Sequence, residues 1–303
     1  MLRWIVCASF VSLVSLPQSP TETGPRIRRL THAVNAYASW SPDGKSLVYQ
    51  SSAPGNFDLF TIAVDGSAIR ELVADPAHDI TPVWSPDGKT IVFVSERTGN
   101  RDVYLVDADG SNVRNLTRHP AMDLHPAWSA DGERLLFSSN RGNANADDYD
   151  IYELSLAGGE PRRITSGPDV DTYASWSPDG RRIVTRRVVA GNNEVFVMDA
   201  DGSNPTNLTN APTYDGWPVW SPDGKWIAYA GGPDEGNHYL FLVRPDGGAR
   251  VQLTKEPQPL GFCYDTQPAF SPDGRSLVFT RYRPMADYES SELCILDLSP
   301  FLG

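Results

Sequence analysis

The sequence predicts an all-β fold: a six-bladed β-propeller of four-stranded antiparallel blades, closed by an N-terminal strand. Three observations carry this. The phrase WSPDGK at Trp40–Lys45 returns, with small changes, at Trp84–Lys89, Trp128–Glu133, Trp176–Arg181, Trp220–Lys225 and Phe270–Arg275. The repeated aromatics stand 44, 44, 48, 44 and 50 residues apart, a period that marks an array of like units. No segment holds a helical periodicity, and 25 Gly and 25 Pro among 303 residues interrupt helix throughout.

One unit, Asp79–Thr117, shows the elements in order. DITPVW is a first strand ending in Ser-Pro-Asp-Gly. Pro presets the backbone at the second turn position and Gly suits the fourth, so the repeated phrase is a hairpin turn. KTIVFVS is a second strand rich in β-branched residues, and ERTGN a turn. DVYLVDADG is a third strand ending in an Asp-Gly hairpin signal, and NVRNLT the fourth. Asp-Gly recurs at Asp65-Gly66, Asp109-Gly110, Asp201-Gly202 and Asp246-Gly247, while blade three uses Gly158-Gly159. A large ring at the end of each innermost strand is expected to fill the gap between blades.

The two ends of the array complete each other. RIRRLT, Arg26–Thr31, reads as a fourth strand, whereas the last unit ends after its third. Donating Arg26–Thr31 to blade six closes the ring and removes exposed sheet edges. Residues 26–300 then form one propeller, preceded by a signal peptide at 1–20 and a linker at 21–25. The signal reading rests on Arg3 followed by the uncharged run Trp4–Leu16, too short to span a bilayer but suited to export. No small residues prepare Cys7 for lipidation. A soluble, exported, monomeric chain without a membrane span is expected, periplasmic or secreted. In an oxidising compartment Cys263 and Cys294 invite a disulfide, but their strand positions lie too far apart, so two free thiols are expected.

The repeat resembles the TolB-type PD40 (WD40-like) repeat across about residues 26–300 and, less closely, the propellers of the prolyl oligopeptidase and dipeptidyl peptidase IV families. The TolB resemblance implies a periplasmic, non-enzymatic propeller whose face docks the peptidoglycan-associated lipoprotein. The chain departs from TolB in leaving no room for an α/β domain between Thr21 and the first blade, so what the resemblance carries over is architecture and compartment.

Composition and motifs narrow the chemistry. Lys plus Arg is 26 against 38 Asp plus Glu, a net charge of −12 that disfavours nucleic acid. There is no G-x-S-x-G elbow, H-E-x-x-H, C-x-x-C or phosphate loop. The His residues at 32, 78, 119, 125 and 238 read mostly as loop histidines, with His78, His119 and His125 near connections on one face.

The sharper feature lies five residues before each repeated aromatic: Asn35, Asp79, Asp123, Asp171, Asp215 and Asp265. Each begins an innermost strand, so all six are expected around one channel mouth. Two residues on stand Tyr37, Thr81, His125, Tyr173, Trp217 and Gln267, placed by strand alternation on the same side. Two readings stay open. The carboxylates brace each blade's loop through N–H groups, or they form a negative mouth with aromatic walls that receives a basic peptide, a protein loop or a glycan. No cofactor is expected; Ca²⁺ is the one exception the acidic ring allows, with two or three of its oxygens at most able to ligate one ion. Asp58, Asp102, Asp150 and Glu194 open third strands, and Arg97 and Arg141 are expected to pair locally with such groups. NLT at Asn115 and Asn207 fits the glycosylation pattern but follows from the repeat.

The function expected is docking of an envelope protein or peptide at the channel mouth, without catalysis. The alternative is a propeller lyase or hydrolase acting on a polysaccharide.

Overall fold

The computed structural model describes residues 26–31, 34–53, 55–143, 145–232, 236–255, 263–285 and 288–302, excepting the side chains of 283–290. The segments read as signal and linker, and His32, lie outside the described residues.

Six four-stranded antiparallel sheets form the chain, and no helix occurs among the described residues. The innermost strands are Asn35–Trp40, Asp79–Trp84, Asp123–Trp128, Val170–Trp176, Tyr214–Trp220 and Tyr264–Phe270. Each begins its blade, and consecutive strands pair outward. The last blade takes its outer strand from the N-terminus, where Ile27, Arg28 and Arg29 stand opposite Leu296, Ile295 and Cys294.

This strand is a fourth strand in chemistry as well as place. Leu293 N–H donates to Thr31 Oγ1 at 3.0 Å. Thr117, Thr165, Thr209 and Thr254 accept the same bond from Val103, Ile151, Val195 and Leu240 in their own blades. The Leu-Thr or Ile-Thr that ends these strands in the sequence is therefore the brace between outer strands.

The core is divided into six clusters, each shared by two neighbouring blades. Between blades one and two, Val48 and Leu59 meet Ile91, Phe93 and Val106, with Trp84 at the edge. The repeated aromatics sit on these seams as expected. Trp40 Nε1 donates to Ala269 O of blade six at 3.1 Å, and Trp128 Nε1 to Val83 O of blade two at 3.2 Å. A flat ring with one donor can fill a seam and satisfy a carbonyl across it.

The repeated turn repeats its bonds too. Asp43 accepts from Ser41 Oγ at 2.6 Å and Lys45 N–H at 3.1 Å, while Ser41 Oγ accepts from Ser46 N–H at 3.0 Å. The Ser41 hydroxyl, then the Lys45 N–H, hold the Asp43 carboxyl below its usual range. Gly44 adopts a φ of 70° that closes the turn. Cys263 and Cys294 are buried and unbridged.

Candidate functional site

Every innermost strand is broken by a β-bulge at the same place. The ladder register shifts between Ala36 and Ser39, Ile80 and Val83, Leu124 and Ala127, Thr172 and Ser175, Gly216 and Val219, and Thr266 and Ala269. Inside each bulge one residue adopts a left-handed backbone: Tyr37, Thr81, His125, Tyr173, Trp217 and Gln267, with φ of 53°, 51°, 51°, 55°, 52° and 55°. These are the residues two after the acidic position. None is glycine, and for a β-branched residue such as Thr81 this backbone is an outlier. Side chains of the preceding blade help hold the bulges. Thr81 N–H donates to Gln50 Oε1 at 2.8 Å, and Tyr37 N–H to Thr280 Oγ1 at 3.3 Å.

The bulges overturn strand alternation, and with it the expected shared side. All six bulge residues line the central cavity, and none of the six acidic-position residues does. Asp79, Asp123, Asp171, Asp215 and Asp265 are at most 2% exposed and Asn35 4%. An extra residue in the strand turns the following side chain to the axis and leaves the carboxylate inside the blade.

There each carboxylate faces a guanidinium. Arg97 donates to both oxygens of Asp79 at 3.0 and 2.9 Å, and Arg141 to Asp123 at 2.6 Å. These two arginines were expected to serve Asp102 and Asp150 across the turn. They fold back to the first strand instead, steadied by Ser95 and Ser139. In blades four and six the arginine stands directly opposite, Arg187 on Asp171 at 2.9 Å and Arg281 on Asp265 at 2.6 and 2.7 Å. Blade one carries Asn35, and Ala53 where blades two and three have arginine. Blade five has Gly231 opposite Asp215, and the nearest guanidinium, Arg250, stands 3.7 Å away. A Cβ at position 231 would fall 2.2 Å from Asp215 Oδ1. Burial, opposed by Arg250, pushes the Asp215 carboxyl up to about 7.

The third-strand acids are braces as expected. Asp102 accepts from Thr98 Oγ1 at 2.9 Å and Asn115 Nδ2 at 2.7 Å, and Asp58 from Asp75 N–H at 3.2 Å. His78 and His119 accept turn N–H groups from Phe57 and Ala121. His125 departs from the loop reading, because it lies within a strand on the channel wall. Burial, then Arg186 and Arg101, lower its imidazole to about 3, so it is neutral at physiological pH.

The bulge residues close the channel. The hydroxyls of Tyr37 and Tyr173, from opposite blades, meet at 3.3 Å. His125 lies 3.7 Å from Tyr173, centroid to centroid, and Tyr173 5.9 Å from Trp217. Toward the Ser-Pro-Asp-Gly turns remains a cavity of about 330 Å³, walled by Pro82, Pro126, Pro218, Trp128, Trp176 and Trp220 among others. On the other side the rings continue off the axis. Tyr214 lies 5.2 Å from Trp217 and 5.0 Å from His238, His238 5.0 Å from Tyr264, and Tyr264 5.9 Å from Tyr282. A single band of rings thus runs from blade three to blade six.

Tyr214, Tyr264, Tyr282 and Arg186 escaped the sequence reading, and His238 was read there only among the loop histidines. The residues just before the acidic position, Val34, His78, Met122, Val170, Tyr214 and Tyr264, carried the available signal: tyrosine only in the last two blades. Among the described residues no three His, Cys, Asp or Glu side chains stand close enough to hold a metal ion. Nor does any helix there have the length and apolarity to cross a membrane.

Six four-stranded blades with a bulged, ring-filled channel define the class: a closed six-bladed β-propeller with an aromatic face. The TolB beta propeller domain family matches residues 22–145, 78–187 and 122–234, more than half of the chain, and the chain belongs to that family. No curated protein matches it. Among solved structures it is similar to a protein from Agrobacterium tumefaciens assigned as TolB, with TM-score 0.67, 21% identity, and coverage of 87% of this chain and 90% of that one. TolB from Acinetobacter baumannii gives 0.65 and 20%, covering 88% of this chain and 63% of that protein. An oligogalacturonate lyase in complex with manganese gives 0.59 and 13%, covering 91% and 93%. At such identities the likeness establishes a shared fold.

Proposed function

We propose that this chain is an exported binding module that docks a protein or peptide of the cell envelope on the face bearing Tyr173, Tyr214 and Trp217. The observation that carries this reading is the continuous band of rings across four blades. Aromatic side chains give large contact area for little conformational entropy and dominate binding energy at interfaces. The carboxylates that would serve as acid, base or nucleophile are buried, and four of the five accept close hydrogen bonds from arginine. Docking requires only complementarity, whereas catalysis requires a convergent acid and base. Export is supported by the apolar run Trp4–Leu16 and by membership of the TolB propeller family.

The test is capture from envelope extract by the wild-type protein and by Tyr173→Ala/Trp217→Ala. Loss of the two rings is expected to cost about 2 kcal/mol or more of affinity for the captured partner. Equal capture by both would move the site off this face.

A lyase or hydrolase of polysaccharides on the same band is the second reading, favoured by rings that suit sugar faces and by the fold shared with oligogalacturonate lyase. Release of new ends from polygalacturonate by the purified protein would replace docking with this reading.

A further inference from the structure

Among the described residues, the band of rings holds a positive charge that forms no ion pair. Arg186 stands on the second strand of blade four, opposite Thr172. Its guanidinium carbon lies 4.8 Å from the centroid of the Tyr173 ring, and Nη1 donates to the Tyr214 hydroxyl at 3.1 Å. Its Nε is buried without a hydrogen-bond partner. Among the described residues Arg186 forms no ion pair, whereas Arg187, Arg281, Arg250 and Arg101 face Asp171, Asp265, Asp215 and Glu96. Other described arginines also form no ion pair, and Arg182 and Arg244 stand over Trp220 and Trp226, but Arg186 is the one whose guanidinium stands over a ring of this band.

The strands around this place differ in regular length. The hairpin of blade four, Arg182–Val189 with Asn192–Asp199, has eight-residue strands, and that of blade six, Ser276–Met285 with Tyr288–Asp297, ten-residue strands. Blade two uses six at Thr90–Ser95. Both long hairpins extend at the end where the innermost strands begin, since Val170 pairs with Val188 and Tyr264 with Tyr282. Blade five between them has shorter regular strands, Ile227–Gly232 and Tyr239–Val243. Tyr214 and Trp217 come together here, made possible by Gly216, where a Cβ would lie 2.7 Å from the Tyr214 hydroxyl oxygen.

We propose that Arg186 and the rings around it receive a peptide segment carrying a carboxylate beside an aromatic or aliphatic side chain. Arg186 holds the carboxylate, and Tyr214 and Trp217 floor the apolar part. The inference rests on the docking reading above and reverses the sign of ligand expected from the acidic ring. A guanidinium fork held by a stacked ring and a phenol has donors left for a carboxylate and little entropy to lose. A basic segment would meet like charge and leave those donors unmade.

The probe is a library of random heptapeptides displayed on phage, selected on the wild-type protein and on Arg186→Met, both checked as folded by circular dichroism. Selection on the wild type is expected to enrich Asp or Glu beside an apolar residue. A synthetic peptide of the enriched sequence should bind Arg186→Met about tenfold more weakly or worse, and its Asn or Gln counterpart should lose the same factor on the wild type. Arg186→Lys should fall between. Enriched peptides that are neutral or basic, bind Arg186→Met as well as wild type, and fail on Tyr214→Ala/Trp217→Ala would overturn the carboxylate assignment and leave docking in place. No enrichment, or peptides indifferent to all these variants, would overturn both.

Discussion

Arg97 grips Asp79 from the far end of the neighbouring strand, its Nη2 within 3.0 and 2.9 Å of the two carboxylate oxygens. The carboxylate is wholly buried and the guanidinium side chain 20% exposed. Removing one partner of such a pair leaves an uncompensated buried charge, which costs far more than the pair contributes.

Arg97→Met is therefore expected to lower unfolding free energy by about 3–5 kcal/mol in urea titration. The double change Asp79→Asn/Arg97→Ala, which copies the Asn35 and Ala53 of blade one, should recover most of that loss. Equal destabilisation by both would mean that packing of the arginine stem, and not charge, sets the cost.

Asp215 should make stability fall with rising pH. Its folded pKa, pushed up to about 7, exceeds the unfolded value of roughly 3.9. Between those values the folded protein binds more protons than the unfolded chain. The contribution is thus complete below about pH 4 and is lost as pH rises through about 7. Asp215→Asn should flatten the melting temperature between pH 5 and 8, gaining on the order of 2 kcal/mol over wild type at the upper end. Parallel pH profiles would refute this.

Deleting residues through Thr31 should leave the third strand of blade six without its partner. Leu293 would lose its bond to Thr31, and Ile295 and Leu296 their cover. A large fall in melting temperature and aggregation at the exposed edge are expected. Deletion through Thr23 should leave the melting temperature unchanged. If the two truncations melt together, the N-terminal strand is not the clasp.

Gln50→Leu removes the acceptor for Thr81 N–H without changing the strand ladder. A buried backbone donor left without a partner costs about 1–3 kcal/mol. Chemical denaturation should show a loss in that range, and a neutral change would mean that the bulge holds itself.

Burial pushes the Cys294 thiol up to about 12. Native protein should react slowly with a thiol reagent, and unfolding without reductant should release both Cys263 and Cys294. Finding neither on unfolding would show a bridge.

Blade number, strand order, the seam position of the tryptophans and the clasp were all written in the sequence. They rest on local signals repeated six times: Ser-Pro-Asp-Gly sets a turn wherever it occurs, and RIRRLT has the fourth-strand pattern of VQLT and NLT. Local turn chemistry and period-two patterning act within a few residues, so they survive without knowledge of the fold. The direction of the side chains at the channel did not. Alternation placed Asp123 and His125 on one side, and the bulge at Leu124–Ala127 parted them. A one-residue bulge leaves no composition signal when its residue is Tyr, Thr, His, Trp or Gln rather than glycine. The arginine partners are likewise tertiary facts: Arg97 is 18 residues from Asp79 and Arg250 35 from Asp215, and only the pleat and the packing of outer strands bring them together. Sequence determined where the chain turns. Tertiary structure decided which charges are spent inside the blades and that Arg186 stands unpaired in the band of rings, because that depends on neighbours supplied by other strands and not on the residue itself.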